Sequence, residues 1–140
     1  MDLKAGTISR EIFVGEAIYQ QELERLFARC WLFIGHESQL PKLGAYFASC
    51  MGEESVILTR DSQHKLHVFL NTCRHRGMKV CRYDEGNTAV FTCPYHGWSY
   101  ATDGRLVGVP YSKEAYHDQL DKSQWELIEV AQLTTYNGTI

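Results

Sequence analysis

The chain has 140 residues, 44% of them hydrophobic, with 14 lysines and arginines against 17 acidic residues and a formal net charge of −3. This suffices for one domain with a true core, excludes a disordered chain, and offers no electrostatic footing for nucleic acid or an anionic membrane. No run approaches the ~18 consecutive apolar residues of a membrane span. The first residues, Met-Asp-Leu-Lys-Ala-Gly, lack the layout of a secretory signal, so a cytoplasmic location is expected.

The elements follow in order. From Gly15 to Trp31 the apolar residues Ile18, Tyr19, Leu23, Leu26, Phe27, Cys30 and Trp31 recur at helical spacing, with Glu16, Gln20, Gln21, Glu24 and Arg25 between them. This pattern predicts one amphipathic helix. Gly35 and Pro41 then punctuate the chain, and short strands take over. Ala45–Cys50 and Ser55–Thr59 flank a hairpin turn at residues 51–54. Leu66–Asn71 and Thr88–Thr92 are β-rich and enclose a turn at Asp84-Glu85-Gly86-Asn87. Ser99–Ala101 and Leu106–Val109 straddle Asp103-Gly104, a short hairpin signal. Residues 111–124 read as a polar loop with some helical character, and Trp125–Ala131 and Thr134–Ile140 as two more strands. The final run is apolar with no closing turn, which is the expectation for a cut within a longer polypeptide. The predicted fold is mainly β: an antiparallel domain over 41–140, preceded by a helix and connecting segment over 1–40.

Five cysteines, an odd number in a chain without an export signal, argue for metal ligation or free thiols over a disulfide framework. Two of them begin compact motifs, Cys73-Arg-His75-Arg-Gly77 and Cys93-Pro-Tyr-His96-Gly97-Trp98. Each pairs a soft thiolate with an imidazole and adds a glycine that permits a tight turn. Each follows a strand, Phe69-Leu-Asn-Thr before the first and Ala89-Val-Phe-Thr before the second. Two loops from neighbouring strands therefore present four ligands to one site. A [2Fe–2S] cluster with two cysteines on one iron and two histidines on the other suits C-x-H, seventeen residues, then C-x-x-H. A structural zinc remains the alternative, although its usual spacing places two to four residues between paired cysteines.

On these motifs the chain resembles the N-terminal part of the large (α) subunit of Rieske non-heme iron ring-hydroxylating oxygenases. The resemblance runs from Phe27-Ala-Arg-Cys-Trp-Leu-Phe-Ile-Gly-His36 through both motifs and Asp103-Gly104-Arg105 to the end of the chain. It implies a Rieske-type antiparallel β domain with a cluster-binding subdomain. It assigns Cys73 and Cys93 to the iron that stays ferric, and His75 and His96 to the iron that is reduced. It also implies a ferredoxin or reductase as electron donor, and a homotrimer of full-length subunits with or without a small β subunit. The family's mononuclear iron sits on a 2-His-1-carboxylate triad in a C-terminal domain that residues 1–140 do not supply. Single electrons would pass to that iron for O2-dependent cis-dihydroxylation of an aromatic ring. A stand-alone Rieske ferredoxin is the second reading, against which the leading helix and the Cys30–Gln39 segment would be surplus.

The respiratory type of Rieske protein carries two further cysteines that form a disulfide beside the cluster. Met78 and Tyr95 stand at those positions here, and Trp98 stands where that type has a serine that hydrogen-bonds a sulfide. Fewer donors to sulfur predict a potential near the low end of the Rieske range. Tyr100 matches a tyrosine position of that type, and is either a donor to a cysteine sulfur or an ordinary strand tyrosine.

Arg74, Arg76, Lys79 and Arg82 concentrate positive charge in an acidic chain, either as a docking patch for an acidic donor or as a solvated loop. Cys81 reads as a buried or idle thiol, and Cys30 and Cys50 as small hydrophobes. His36, His64, His67 and His117 lack partners at ligand spacing, and Trp31 and Trp98 are expected to pack. Neither a glycine-rich phosphate loop nor a Ser-His-acid arrangement is present.

Overall fold

A computed structural model describes residues 4–140. The chain divides into two compact units between Leu32 and Phe33. In the first, the helix predicted over Gly15–Trp31 runs from Glu16 to Phe27, and a short helical turn that the pattern did not predict precedes it. α1 (Glu11–Val14) ends where the Gly15 N–H donates to the Glu11 carbonyl at 2.7 Å, and α2 (Glu16–Glu22) starts from the Gly15 carbonyl. Gly15 has extended backbone (φ −81°, ψ 107°), and a Cβ there would lie 2.7 Å from the Glu11 oxygen. The final turn, Leu23–Phe27, widens to π geometry, with Ala28 N–H reaching back five residues to the Leu23 carbonyl. No residue of these helical turns is buried.

The second unit is built from two antiparallel sheets. One has four strands in the order β3-β2-β1-β4, where β1 is Ala45–Met51, β2 Glu54–Arg60, β3 Leu66–Leu70 and β4 Glu85–Asn87. The other has three in sequential order: β5 (Val90–Thr92), β6 (Ser99–Ala101) and β7 (Leu106–Gly108). Both predicted hairpins form, β1 with β2 through Gly52-Glu53 and β6 with β7 through Asp103-Gly104. Residues 85–87, expected in a turn, instead pair with Ala45–Phe47 as an edge strand, and the predicted Thr88–Thr92 strand shortens to β5. Tertiary pairing to β1 outweighs the turn propensity of Glu-Gly-Asn.

Strand β2 is covered on both faces: Val56, Ile57, Leu58 and Thr59 are all fully buried. Ile57 joins Tyr46 and Phe69 in a core shared with Phe91, Tyr100 and Leu106 of the three-stranded sheet. On the opposite face the loop at Gly35 lies so close to Leu58 that a Cβ there would meet its methyl at 2.9 Å.

After β7 the chain forms α3 (Ser112–Tyr116) and a 3₁₀ turn over Lys122–Trp125. The two strands expected beyond it do not form. Residues 126–131 run alongside β3 with Glu129 bridging Phe69, and the Leu70 N–H and Val68 carbonyl bond Ile128 and Val130. Residues 136–139 close a turn through Asn137 and Gly138, both at positive φ, and Ile140 exchanges hydrogen bonds with Ile34 and Gly35. Asn-Gly inside an apolar run is a turn signal that the β-like reading overlooked.

Candidate metal centre

The two motifs fold into matching loops. In the first, Cys73 N–H donates to the carbonyl five residues on (Met78, 2.9 Å), and Cys73 C=O accepts from Gly77 N–H at 2.9 Å. In the second, Cys93 N–H donates to Trp98 C=O at 2.8 Å, and Cys93 C=O accepts from Gly97 N–H at 3.0 Å. Gly77 and Gly97 share a left-handed backbone, φ +73° and +74°. This is the physical content of the Gly that follows each Cys/His pair: the turn needs positive φ. At Gly97 space is also forbidden, because a Cβ would sit 2.8 Å from the Pro110 ring.

Asn71 closes the base of the first loop. Its side-chain amide pairs with both backbone groups of Cys81, Nδ2 donating to the carbonyl and Oδ1 accepting from the N–H, each at 2.8 Å. No sequence motif had marked Asn71, although a polar residue in a strand-end position that proves fully buried must find such partners.

The loops place the four residues in two pairs. Cys73 and Cys93 are buried, 2% and 3% exposed, and belong to the main hydrophobic core. The histidines lie outward, His75 half-buried and His96 exposed, with ring centroids 4.7 Å apart at 70°. Burial pushes the Cys93 thiol up, the N–H groups of Tyr95 and His96 pull it back, and neighbouring Cys73 pushes it up again. Burial lowers His75, and the charges of His96 and Arg76 lower it further, so its neutral, ligating form is favoured.

Tyr100, fully buried on β6, sits beneath the first loop. Its hydroxyl accepts from Arg74 N–H at 3.1 Å and lies 3.3 Å from Cys73 Sγ. Burial first, and then Cys73, raise this phenol far above its ordinary range, so it holds its proton. Ser99, next to Trp98, bonds the Gly97 carbonyl and Thr92 hydroxyl.

These features fit a two-iron cluster. Burial disfavours the thiolate form of Cys93 unless a metal supplies positive charge, and Cys73 lies buried beside it. Two imidazoles lie outward of them, His75 half-buried and His96 exposed. Among the described residues, Arg74 Nε is the buried side-chain nitrogen or oxygen left without a partner.

The other candidates disperse. Cys81 is buried as expected, but Cys30 and Cys50 are exposed, which corrects their reading as small hydrophobes. Trp31 is exposed where packing was expected. His67 has carboxylate partners that only the fold supplies: Asp61 Oδ2 at 3.2 Å and Glu129 Oε1 at 2.7 Å on its two ring nitrogens. Arg76, Lys79 and Arg82 are exposed around the first loop, while Arg74 is half-buried.

The chain is similar to known proteins over nearly its whole length. A family model described as the Rieske [2Fe–2S] domain matches residues 30–136. The chain is 49% identical over 139 residues to the benzene 1,2-dioxygenase subunit alpha of Pseudomonas putida, covering 99% of this chain and 30% of that one. It is 46% identical over 140 residues to the biphenyl 2,3-dioxygenase subunit alpha of Rhodococcus jostii (strain RHA1), covering 100% of this chain and 30% of that subunit. Its fold superposes on a naphthalene 1,2-dioxygenase from Rhodococcus sp. bound to indole with a TM-score of 0.85 and 46% identity, over 87% of this chain and 28% of that one. The chain thus spans about a third of the length of these relatives.

Proposed function

The chain belongs to the Rieske [2Fe–2S] domain family, and from that premise we propose that it is the electron-delivering part of an aromatic-ring-hydroxylating dioxygenase α subunit. Cys73, His75, Cys93 and His96 are its cluster ligands. The observation that carries this reading is the pair of matching loops, which bury two thiols in the core and hold two imidazoles at the surface. When bound, such a cluster takes up and releases one electron at about −150 to +300 mV, raised by its two neutral imidazole ligands.

The chain's own residues do the rest. The core around Cys73 and Cys93 excludes water from the thiolates. The Tyr100 hydroxyl accepts the Arg74 N–H, keeps its own proton, and donates a hydrogen bond to Cys73 Sγ when that sulfur is a thiolate. His96 offers an exposed edge through which a donor or acceptor can couple. Exposed Arg76, Lys79 and Arg82 attract an acidic ferredoxin or reductase. Ring hydroxylation takes place at a mononuclear iron on a 2-His-1-carboxylate triad outside residues 1–140. The whole enzyme is a cytoplasmic homotrimer, with or without a β subunit. Among the described residues no helix is long and apolar enough to cross a membrane.

The test is an EPR spectrum of the dithionite-reduced protein, with iron and sulfide quantified on the same sample. A rhombic signal with average g below the free-electron value, and about two irons and two sulfides per chain, supports the reading. A colourless, EPR-silent protein with one zinc per chain overturns it.

A further inference from the structure

Trp98 does more than cover the second loop. Its indole, 3% exposed, lies flat against the His75 imidazole, with centroids 5.0 Å apart and planes within 9°. Its backbone is tied to the second loop through Cys93 N–H, so one residue of that loop holds a ring of the other. Two more rings brace the indole nearly edge-on: Trp125 at 5.8 Å and 87°, and Tyr116 at 6.2 Å and 65°. Both come from the segment after β7, Tyr116 at the end of α3 and Trp125 at the end of the 3₁₀ turn. His96 is housed differently. Its ring neighbour Tyr95, at 3.8 Å and 31°, is 56% exposed.

The torsion that turns an imidazole about Cβ–Cγ is broad, so a ligand histidine needs something to hold its plane. For His75 that role falls to a buried aromatic face that cannot move without displacing two further rings. We propose that Trp98 is a positioning residue for His75, setting the imidazole plane by stacking, and that Trp125 and Tyr116 set Trp98 in turn. The two histidines are then inequivalent, His75 held rigidly from within and His96 exposed beneath a surface tyrosine. The inference rests on the assignment of His75 as a cluster ligand.

The test uses the iron-loaded chain, reduced, with pulsed EPR resolving the hyperfine coupling of each histidine nitrogen. Trp98→Leu is expected to shift and broaden one nitrogen coupling while leaving the other native, and to speed loss of visible absorbance in air by about ten- to a hundredfold. Trp98→Phe, which keeps a flat ring, is expected to restore the native coupling. Trp125→Leu, at a partly exposed position, is expected to move the same coupling by less, and it carries the test if Trp98→Leu does not hold the cluster. Leu58→Ala, a core truncation on β2 outside the core around the two cysteines, controls for lost stability: it lowers the thermal midpoint with both couplings native. Native couplings in Trp98→Leu, or in Trp125→Leu where the former fails, overturn the positioning role. The same shift in Leu58→Ala also overturns it. A native chain with no nitrogen coupled to iron removes the ligand assignment itself, and the positioning role with it.

Discussion

The Tyr100 hydroxyl stands 3.3 Å from Cys73 Sγ and accepts the Arg74 N–H at 3.1 Å, so towards a thiolate sulfur it acts as the hydrogen-bond donor. A donor to a cysteine sulfur favours the more negative, reduced state of a cluster. Tyr100→Phe should therefore lower the midpoint potential, by on the order of tens of millivolts. It should also destabilise the fold by about 1–3 kcal/mol, since the Arg74 N–H loses its acceptor. Protein-film voltammetry and urea denaturation read the two effects, and an unchanged potential would show that the hydroxyl does not bond the sulfur. Because Ser99 is committed elsewhere and Trp98 has no hydroxyl, the native potential itself should lie toward the lower end of the Rieske range.

The two loop glycines should respond unequally to the same substitution. Gly77→Ala meets no atom within 4 Å and carries only the penalty of a left-handed backbone, about 1–2 kcal/mol. Gly97→Ala carries that penalty and also drives a methyl into Pro110. Iron content and thermal midpoint should fall further for Gly97→Ala. Equal losses would mean that the Pro110 contact yields without cost.

Asn71→Leu should strip both hydrogen bonds from the Cys81 backbone and release the base of the first loop. Each buried group left unpaired costs about 1–3 kcal/mol. The variant should lose its cluster faster in air than Ser55→Ala, which removes only Asn71's long contact at 3.4 Å. Equal cluster lifetimes in the two would discount the role of Asn71.

Acid stability should depend on Asp61. Burial raises its carboxyl, but the N–H of Lys65, the His67 ring and the N–H of Gln63 together outweigh that and hold it below the ordinary range. A depressed carboxylate contributes stability above its unfolded value, about 3.9, and loses it as pH falls through the lower folded value. The gap in urea midpoint between native protein and Asp61→Asn should be widest near neutrality and close below about pH 4. A gap constant from pH 7 to pH 3 would contradict this.

Charge reversal at Arg76 or Lys79 should slow reduction by an acidic donor and flatten its dependence on ionic strength. Both side chains are exposed, so stability should change little. Stopped-flow rates at two salt concentrations decide the matter, and native kinetics in both variants would remove these residues from the docking surface.

Local chemistry made much of this protein legible from its chain. The four proposed ligands, the glycines after them and both tight hairpins follow from spacing and turn preference, which act over a few residues. So do the β-rich runs of β1, β2 and β3, unbroken in β2 because both of its faces are covered. Tertiary structure decided what depends on a distant partner. Glu85–Asn87 is a strand because β1 lies beside it, and 126–131 meets the free edge of β3 only through the Phe69–Glu129 bridge and two flanking hydrogen bonds. The partners of Asn71 are ten residues away, and Glu129 reaches His67 across 62. The stacking of Trp98 on His75 joins two loops that no local pattern links. Backbone propensity is a property of neighbours in the chain, whereas buried polar groups and aromatic faces are satisfied by whatever the fold brings to them.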